Sequence, residues 1–178
     1  MAGNSLERFV EHVSPIWGPL TSELVARCHH ELEELLKAPV TEEWLAALRK
    51  DAPESRELHR DRSRGFVLLA HAEHTGLYRP PHDHGRGWVI YAVQQGEIEM
   101  ATYLRTLTAD GKVQLVKRDS TPVRAGQAKV FLPGDIHDTR CVAGPALLYR
   151  FTEHDLKKED KEEGRVTRYV ERSGVWTC

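Results

Sequence analysis

The chain is short of cysteine, of net charge and of long apolar runs, and each shortage removes a class of protein. Three cysteines in 178 residues (Cys28, Cys141 and Cys178) are odd in number and far apart. They argue against a disulfide framework and for a reducing, cytoplasmic setting. Lys plus Arg total 25 and Asp plus Glu 27, a net charge of −2 with His neutral. That balance argues against nucleic-acid binding through phosphate neutralisation and against a polybasic membrane binder. No apolar run approaches the ~20 residues of a spanning helix. The N-terminal MAGNSLERFVEH meets charge too early for a signal peptide. Hydrophobic residues make up 40% and charged residues 29%, enough to fold one core of ordinary size and too little length for two. Histidine is the surplus: there are ten, several of them clustered.

Two regions differ in pattern. Residues 1–52 read as helical. In 20–36, Leu24, Val25, Cys28, Leu32, Leu35 and Leu36 fall on one face of a helix, with Thr21 as its start and Pro39 as its stop. A second short helix is expected after Thr41, which suits an N-cap with Glu42 and Glu43 behind it. From Gly65 the chain turns to short segments rich in β-branched, Leu and aromatic residues: 66–72, 89–93, 98–104, 113–116, 128–132 and 146–151. Asp110-Gly111 is a two-residue hairpin signal. Such spacing predicts a mainly β protein, an antiparallel sandwich or barrel rather than βαβ units. The charge run 155–164 reads as a solvated loop, 166–170 as a further strand, and Trp176 as cover for the barrel edge. The expected plan is one structural domain: a helical cap with a basic loop over 1–64, and a barrel over 65–178.

The most informative stretch is PPHDHGRGWVIYAVQQG, from Pro80 to Gly96. On a strand, His82 and His84 share a face, so both imidazoles can reach one ion. Asp83 would point the other way and hold the turn or orient a histidine. A second stretch, GQAKVFLPGDIH from Gly126 to His137, is a strand, a Pro-Gly-Asp turn and a histidine entering the next strand. His71 and His74 lie three apart on a strand-like segment, hence on opposite faces, and read as structural or surface residues.

Together these stretches resemble the two motifs of the cupin superfamily. His82, His84 and Gly96 match the first motif; Gly126, Gly134 and His137 match the second. The resemblance covers about residues 65–151. It implies a cupin barrel, a double-stranded β-helix or jelly roll, that binds one divalent metal through His82, His84 and His137. Val89 stands where cupins usually carry a metal-binding Glu, so the implied ligand set is three neutral imidazoles. Such a set leaves open positions and resembles the 2-His-1-carboxylate triad with His replacing the carboxylate. The ion would keep its full charge and favour small anionic substrates, a thiolate among them. Fe(II) is the implied ion, although imidazoles also accept Ni, Zn, Cu or Mn.

Within cupins, the HDH motif followed by Trp88, and the PGDIH motif, resemble the thiol dioxygenases, which include cysteine dioxygenase and 3-mercaptopropionate dioxygenase. The implied reaction is oxidation of a small thiol-carboxylate to a sulfinic acid with O2. The family's carboxylate-gripping arginine maps to Arg56, with Arg60 as a close rival; a planar guanidinium holds a carboxylate through two hydrogen bonds. Two family features are missing. The cross-linking Cys position holds Val89, and the Ser-His-Tyr set would fall near Leu147, Tyr149 and Phe151. Tyr149, Tyr91 and His154 are therefore the candidate outer-sphere acids, and Trp88 and Cys141 are candidates to line the pocket. The alternatives are a three-His cupin acting on a non-thiol chelator and a non-catalytic metal- or small-molecule-binding cupin. By analogy, pairing of exposed sheet edges would give a homodimer.

Overall fold

The computed structural model describes residues 3–172 and 175–177; Cys178 lies outside them. Three helices come first: α1 (Ser5–Val13), α2 (Ser22–Leu36) and α3 (Glu43–Asp51). α1 starts on a capping box, in which Asn4 accepts from the Glu7 amide and Glu7 accepts from the Asn4 amide, both at 2.9 Å. α2 starts where expected, with the Thr21 hydroxyl accepting from the Leu24 amide at 3.1 Å. α3 departs from expectation. Its N-cap is Glu42, not Thr41, and no side chain caps it. The Glu42 carboxylate is engaged elsewhere, by the Ser5 amide and the Trp44 indole N–H, so a tertiary contact has displaced a local one.

The strands are β1 (Arg56–Arg60), β2 (Val67–Glu73), β3 (Tyr78–His82), β4 (Val89–Leu107), β5 (Val113–Arg124), β6 (Gln127–Phe131), β7 (Ile136–Thr152), β8 (Val170–Arg172) and β9 (Val175–Thr177). β4 and β7 are long, antiparallel and bent, and each serves two layers. Val89–Val93 of β4 lies between β6 and the second half of β7, and that half of β7 continues to β2 and then β1. Beyond the bend, the rest of β4 pairs with β5 and with the first half of β7, which also carries β3. The result is two antiparallel layers that share their central strands. The fold is mainly β, a double-stranded β-helix with short N-terminal helices.

Alternation sorts the side chains. Leu68, Ala70, Ile90, Ala92, Leu147, Tyr149 and Phe151 turn outward and bury the apolar faces of the helices, including Phe9, Val13, Leu24, Cys28, Leu32, Leu45 and Leu48. Val89, Tyr91, Val93, Phe131 and Leu148 turn inward and meet Ile98, Met100, Val123 and Cys141 of the opposite layer. The inward positions are odd before the bend in β4 and even after it; in β7 they are odd through Cys141 and even from Ala146. Gly96 marks the change. Its φ is +81°, and a Cβ there would lie 2.5 Å from the Ala143 carbonyl oxygen and 2.7 Å from the Ala146 Cβ. Only glycine allows the strands to approach so closely.

Four expectations for the chain's local structure change. The segment read as a basic loop contains β1, which pairs with β2. The 155–164 charge run contains a helix, α4 (Leu156–Glu163), whose Leu156 is buried and whose Asp160 holds Arg168 through two hydrogen bonds of 2.7 Å. The strand expected at 166–170 is a single bridge, His82 to Arg168, followed by β8. The hairpin at Asp110-Gly111 exists, but its connection has five residues: Leu107 pairs with Val113, and Gly111 takes the positive φ. Trp176, on β9, lies 6.4 Å from Tyr103, ring to ring, and packs with Leu115, Ile136 and Tyr169.

Candidate metal centre

His82 closes β3, His84 sits in the turn that follows, and His137 is the second residue of β7. The pairing of β3 with β7 places His82 opposite His137. The turn, not strand alternation, brings His84 round. Gly85 takes a φ of +61°, and the Asp83 carboxylate accepts from the Gly85 amide at 3.0 Å and the Thr167 amide at 2.9 Å. Asp83 thus holds the turn and ties it to the C-terminal segment. The three rings converge with centroids 4.6–5.3 Å apart, and one nitrogen from each lies within 4.8 Å of the others. Among the described residues no other trio of His, Cys, Asp or Glu does so.

The donor set suits a cation. Burial depresses all three imidazoles below their usual range, His84 and His137 strongly, so each is neutral and has a lone pair to give. The Nδ1–H of His82 donates to the Pro80 carbonyl at 2.9 Å, which leaves Nε2 free to coordinate. The Nε2 atoms of His84 and His137 are 3.3 Å apart. Adjacent ligands on an ion with bonds of ~2.0–2.1 Å are separated by roughly 3.0–3.4 Å. The Phe131 ring stacks on His137 at 3.8 Å and fixes its plane. These residues fit a divalent metal.

The histidines face a cavity of about 530 Å³. Its wall carries residues from β2 and β3 (His71, Glu73 and Arg79), Tyr91 of β4, and Thr139, Leu148 and Arg150 of β7; α4 and the segment after it complete the rim with Leu156, Asp160 and Arg168. Arg79 is paired with Glu73 at 3.1 Å and Arg168 with Asp160. Arg150 has no carboxylate partner among the described residues. Its charge acts on the Tyr91 phenol beside it, and its Nε is buried without a partner. The Tyr91 hydroxyl is also 3.3 Å from His84 Nε2. Burial raises the pKa of this phenol, so it remains a proton donor.

Of the residues that sequence put forward as substrate-binding, outer-sphere or pocket-lining, only Tyr91 lines this cavity. Arg56 pairs with Asp51 at 3.0 Å. Arg60 bridges Glu57 at 2.7 Å and Asp155 at 2.9 Å. Tyr149 faces outward against Trp44, with ring centroids 6.1 Å apart. Trp88 also turns outward and stacks on Trp17 at 5.7 Å. The His154 ring sits against Gly87, where a Cβ would meet its Cε1 at 2.8 Å. Cys141 points inward but lies in the apolar interior, its thiol 3.6 Å from the Glu73 carbonyl. His71, read as structural or surface, is in the cavity wall. Sequence reading missed Arg150. Counting strand positions across the β7 bend assigns the inward face to Leu147 and Tyr149, whereas Leu148 and Arg150 occupy it. A shift of one residue exchanges the faces.

No protein-family model matches the chain, and no curated protein matches it. Solved structures do resemble it. KdgF from Halomonas sp. matches with 16% identity and a TM-score of 0.44 over 55% of this chain and 74% of that one. A cupin domain of Cnp3 from Schizosaccharomyces pombe matches with 16% identity and a TM-score of 0.43 over 62% of this chain and 69% of the other. A protein of Bacillus halodurans matches with 14% identity and a TM-score of 0.49 over 65% and 81%. These likenesses concern the fold. Among the described residues no helix is long and apolar enough to cross a membrane.

Proposed function

We propose that the protein is an iron(II)-dependent dioxygenase that converts a small thiol-carboxylate to its sulfinic acid. The observation that carries the reading is three neutral imidazoles, drawn from two distant parts of the chain, converging on a cavity whose wall holds Arg150, a guanidinium with no carboxylate partner among the described residues. The balance closes without a further reductant: a thiol R–SH and one O2 give R–SO2H, with both oxygen atoms transferred to sulfur. His82, His84 and His137 would hold the ion, which supplies the redox chemistry that O2 needs. Arg150 receives the substrate carboxylate through its planar donor fork, taking the role first assigned to Arg56 or Arg60. Tyr91, its hydroxyl close to His84, keeps its proton and donates a hydrogen bond to the reacting end of the substrate. Leu148 adds apolar surface to the cavity wall, which strengthens both polar contacts.

The test is protein loaded with Fe(II) under argon, then exposed to O2 with 3-mercaptopropionate, cysteine and cysteamine. Oxygen uptake matched one-to-one by sulfinate from a carboxylate-bearing thiol is the expected result. Absence of uptake with every thiol at full iron occupancy would overturn the reading, and tight binding without turnover would identify a binding protein instead.

A further inference from the structure

Apart from Nδ1 of the candidate ligand His84, four buried polar atoms on the cavity-lining residues have no partner: His71 Nε2, Glu73 Oε2, Thr139 Oγ1 and Arg150 Nε. Orphans of this kind are rare in a folded protein, and several around one cavity indicate a polar ligand that satisfies them. Their chemistry is mixed. Arg150 is a donor and takes an anion. Glu73 and His71 are acceptors. They stand two apart on β2 and therefore on one face of the strand. Glu73 is 2% exposed; Arg79 holds its Oε1 at 3.1 Å, which leaves Oε2 over. His71 bonds the Glu54 carbonyl through Nδ1 at 2.9 Å, which places the proton there and the lone pair on Nε2. Burial, and then the charge of Arg150, push its pKa down to about 4, so the ring is an acceptor at neutral pH.

We infer that Glu73 and His71 form a subsite for a primary ammonium group, so that the ligand is a zwitterion held at its anionic end by Arg150 and at its cationic end by the β2 wall. The cavity volume, about 530 Å³, falls in the range of pockets that hold ligands with several polar groups. This subsite rests on the proposed reading for its location beside the metal trio, but its charge logic does not depend on the thiol. The ammonium is bound by side chains and needs no place on the ion.

Two ligand pairs, each differing by one ammonium, test it by calorimetry on the Fe(II) protein under argon: L-cysteine against 3-mercaptopropionate, and L-alanine against propionate. The amine-bearing member of each pair is expected to bind at least about tenfold tighter, the worth of one charge-assisted hydrogen bond. Glu73→Gln and His71→Phe should each erode that ratio and leave the amine-free members within about twofold of wild type. Equal affinity within both pairs in the wild type overturns the subsite, as does a variant that weakens all four ligands alike, and neither result touches the dioxygenase reading. A thiol pair that binds no better than the thiol-free pair counts against the thiol, while the alanine-to-propionate ratio still decides the subsite. Failure of both amino acids to bind overturns it outright.

Discussion

Replacing Arg150 with methionine removes a cavity-wall guanidinium that lacks a carboxylate partner among the described residues and retains most of its length. Two hydrogen bonds from a guanidinium to a carboxylate contribute about 1.5–3 kcal/mol each in a partly buried site. Some of this survives through water and Tyr91, so a net loss of about 3 kcal/mol is reasonable. That corresponds to roughly a hundredfold in kcat/KM. Arg150→Lys keeps the charge without the fork and should lose about tenfold. Arg56→Ala provides the contrast: Arg56 is tied to Asp51 outside the cavity and its loss should change kcat/KM by less than about threefold. Initial rates of oxygen uptake against substrate concentration supply the numbers, with iron content measured on each variant. The reasoning fails if Arg150→Met turns over at the wild-type rate with wild-type KM. It fails equally if Arg56→Ala is the damaging variant.

Three further outcomes follow. Gly96→Ala forces a Cβ onto the Ala143 carbonyl at a positive φ; strain of roughly 1–3 kcal/mol before any clash should lower the melting temperature by about 5 °C or more by calorimetry, and an unchanged transition would remove the account of the bend. Leu32→Ala, at 0% exposure under the helical layer, should cost about 2–5 kcal/mol while metal stoichiometry stays the same; a parallel loss of metal would show that the layers are not separable. The metal-free protein should lose stability as pH falls from about 6.5, the unfolded histidine value, towards 4. His71 binds its proton in the unfolded chain across that window and not in the folded one, with a folded value of about 4, a difference of roughly 3 kcal/mol at the acid end. The buried trio His82, His84 and His137 acts in the same direction, so His71→Gln should make the acid loss smaller without abolishing it, and an equal acid sensitivity in that variant would refute the assignment.

Much of the scaffold was legible because local chemistry and tertiary structure agree. Thr21 caps α2 as read, the apolar face of that helix is the buried one, and the short β-rich segments between 66 and 151 fall in strands save for Phe66 and Leu132 at their ends. The histidine trio was legible through the two motifs, although the turn at Gly85 and not the expected strand alternation brings His84 round. What was not legible depends on contacts distant in sequence. Glu42 supplants Thr41 because its carboxylate engages Ser5 and Trp44. The charge run becomes α4 because Leu156 is buried and because Asp160 and Arg168, on the segment that folds back, form an ion pair. The cavity arginine was missed for a geometric reason: periodicity along β7 is interrupted where it passes Gly96, and nothing in the residues after His137 announces the reversal of faces. Arg56 attracted attention by its place ahead of the HDH stretch, yet a carboxylate five residues earlier, Asp51, already occupies it.

The account depends most on the ion. Elemental analysis of the freshly purified protein and of His82→Ala, His84→Ala and His137→Ala, each reloaded with Fe(II) under argon and desalted, tests it most directly. One equivalent in the wild type and a marked loss in every variant, with far-ultraviolet circular dichroism unchanged, is the predicted result. Wild-type metal content retained in the variants, or a wild type that binds no iron, would contradict it.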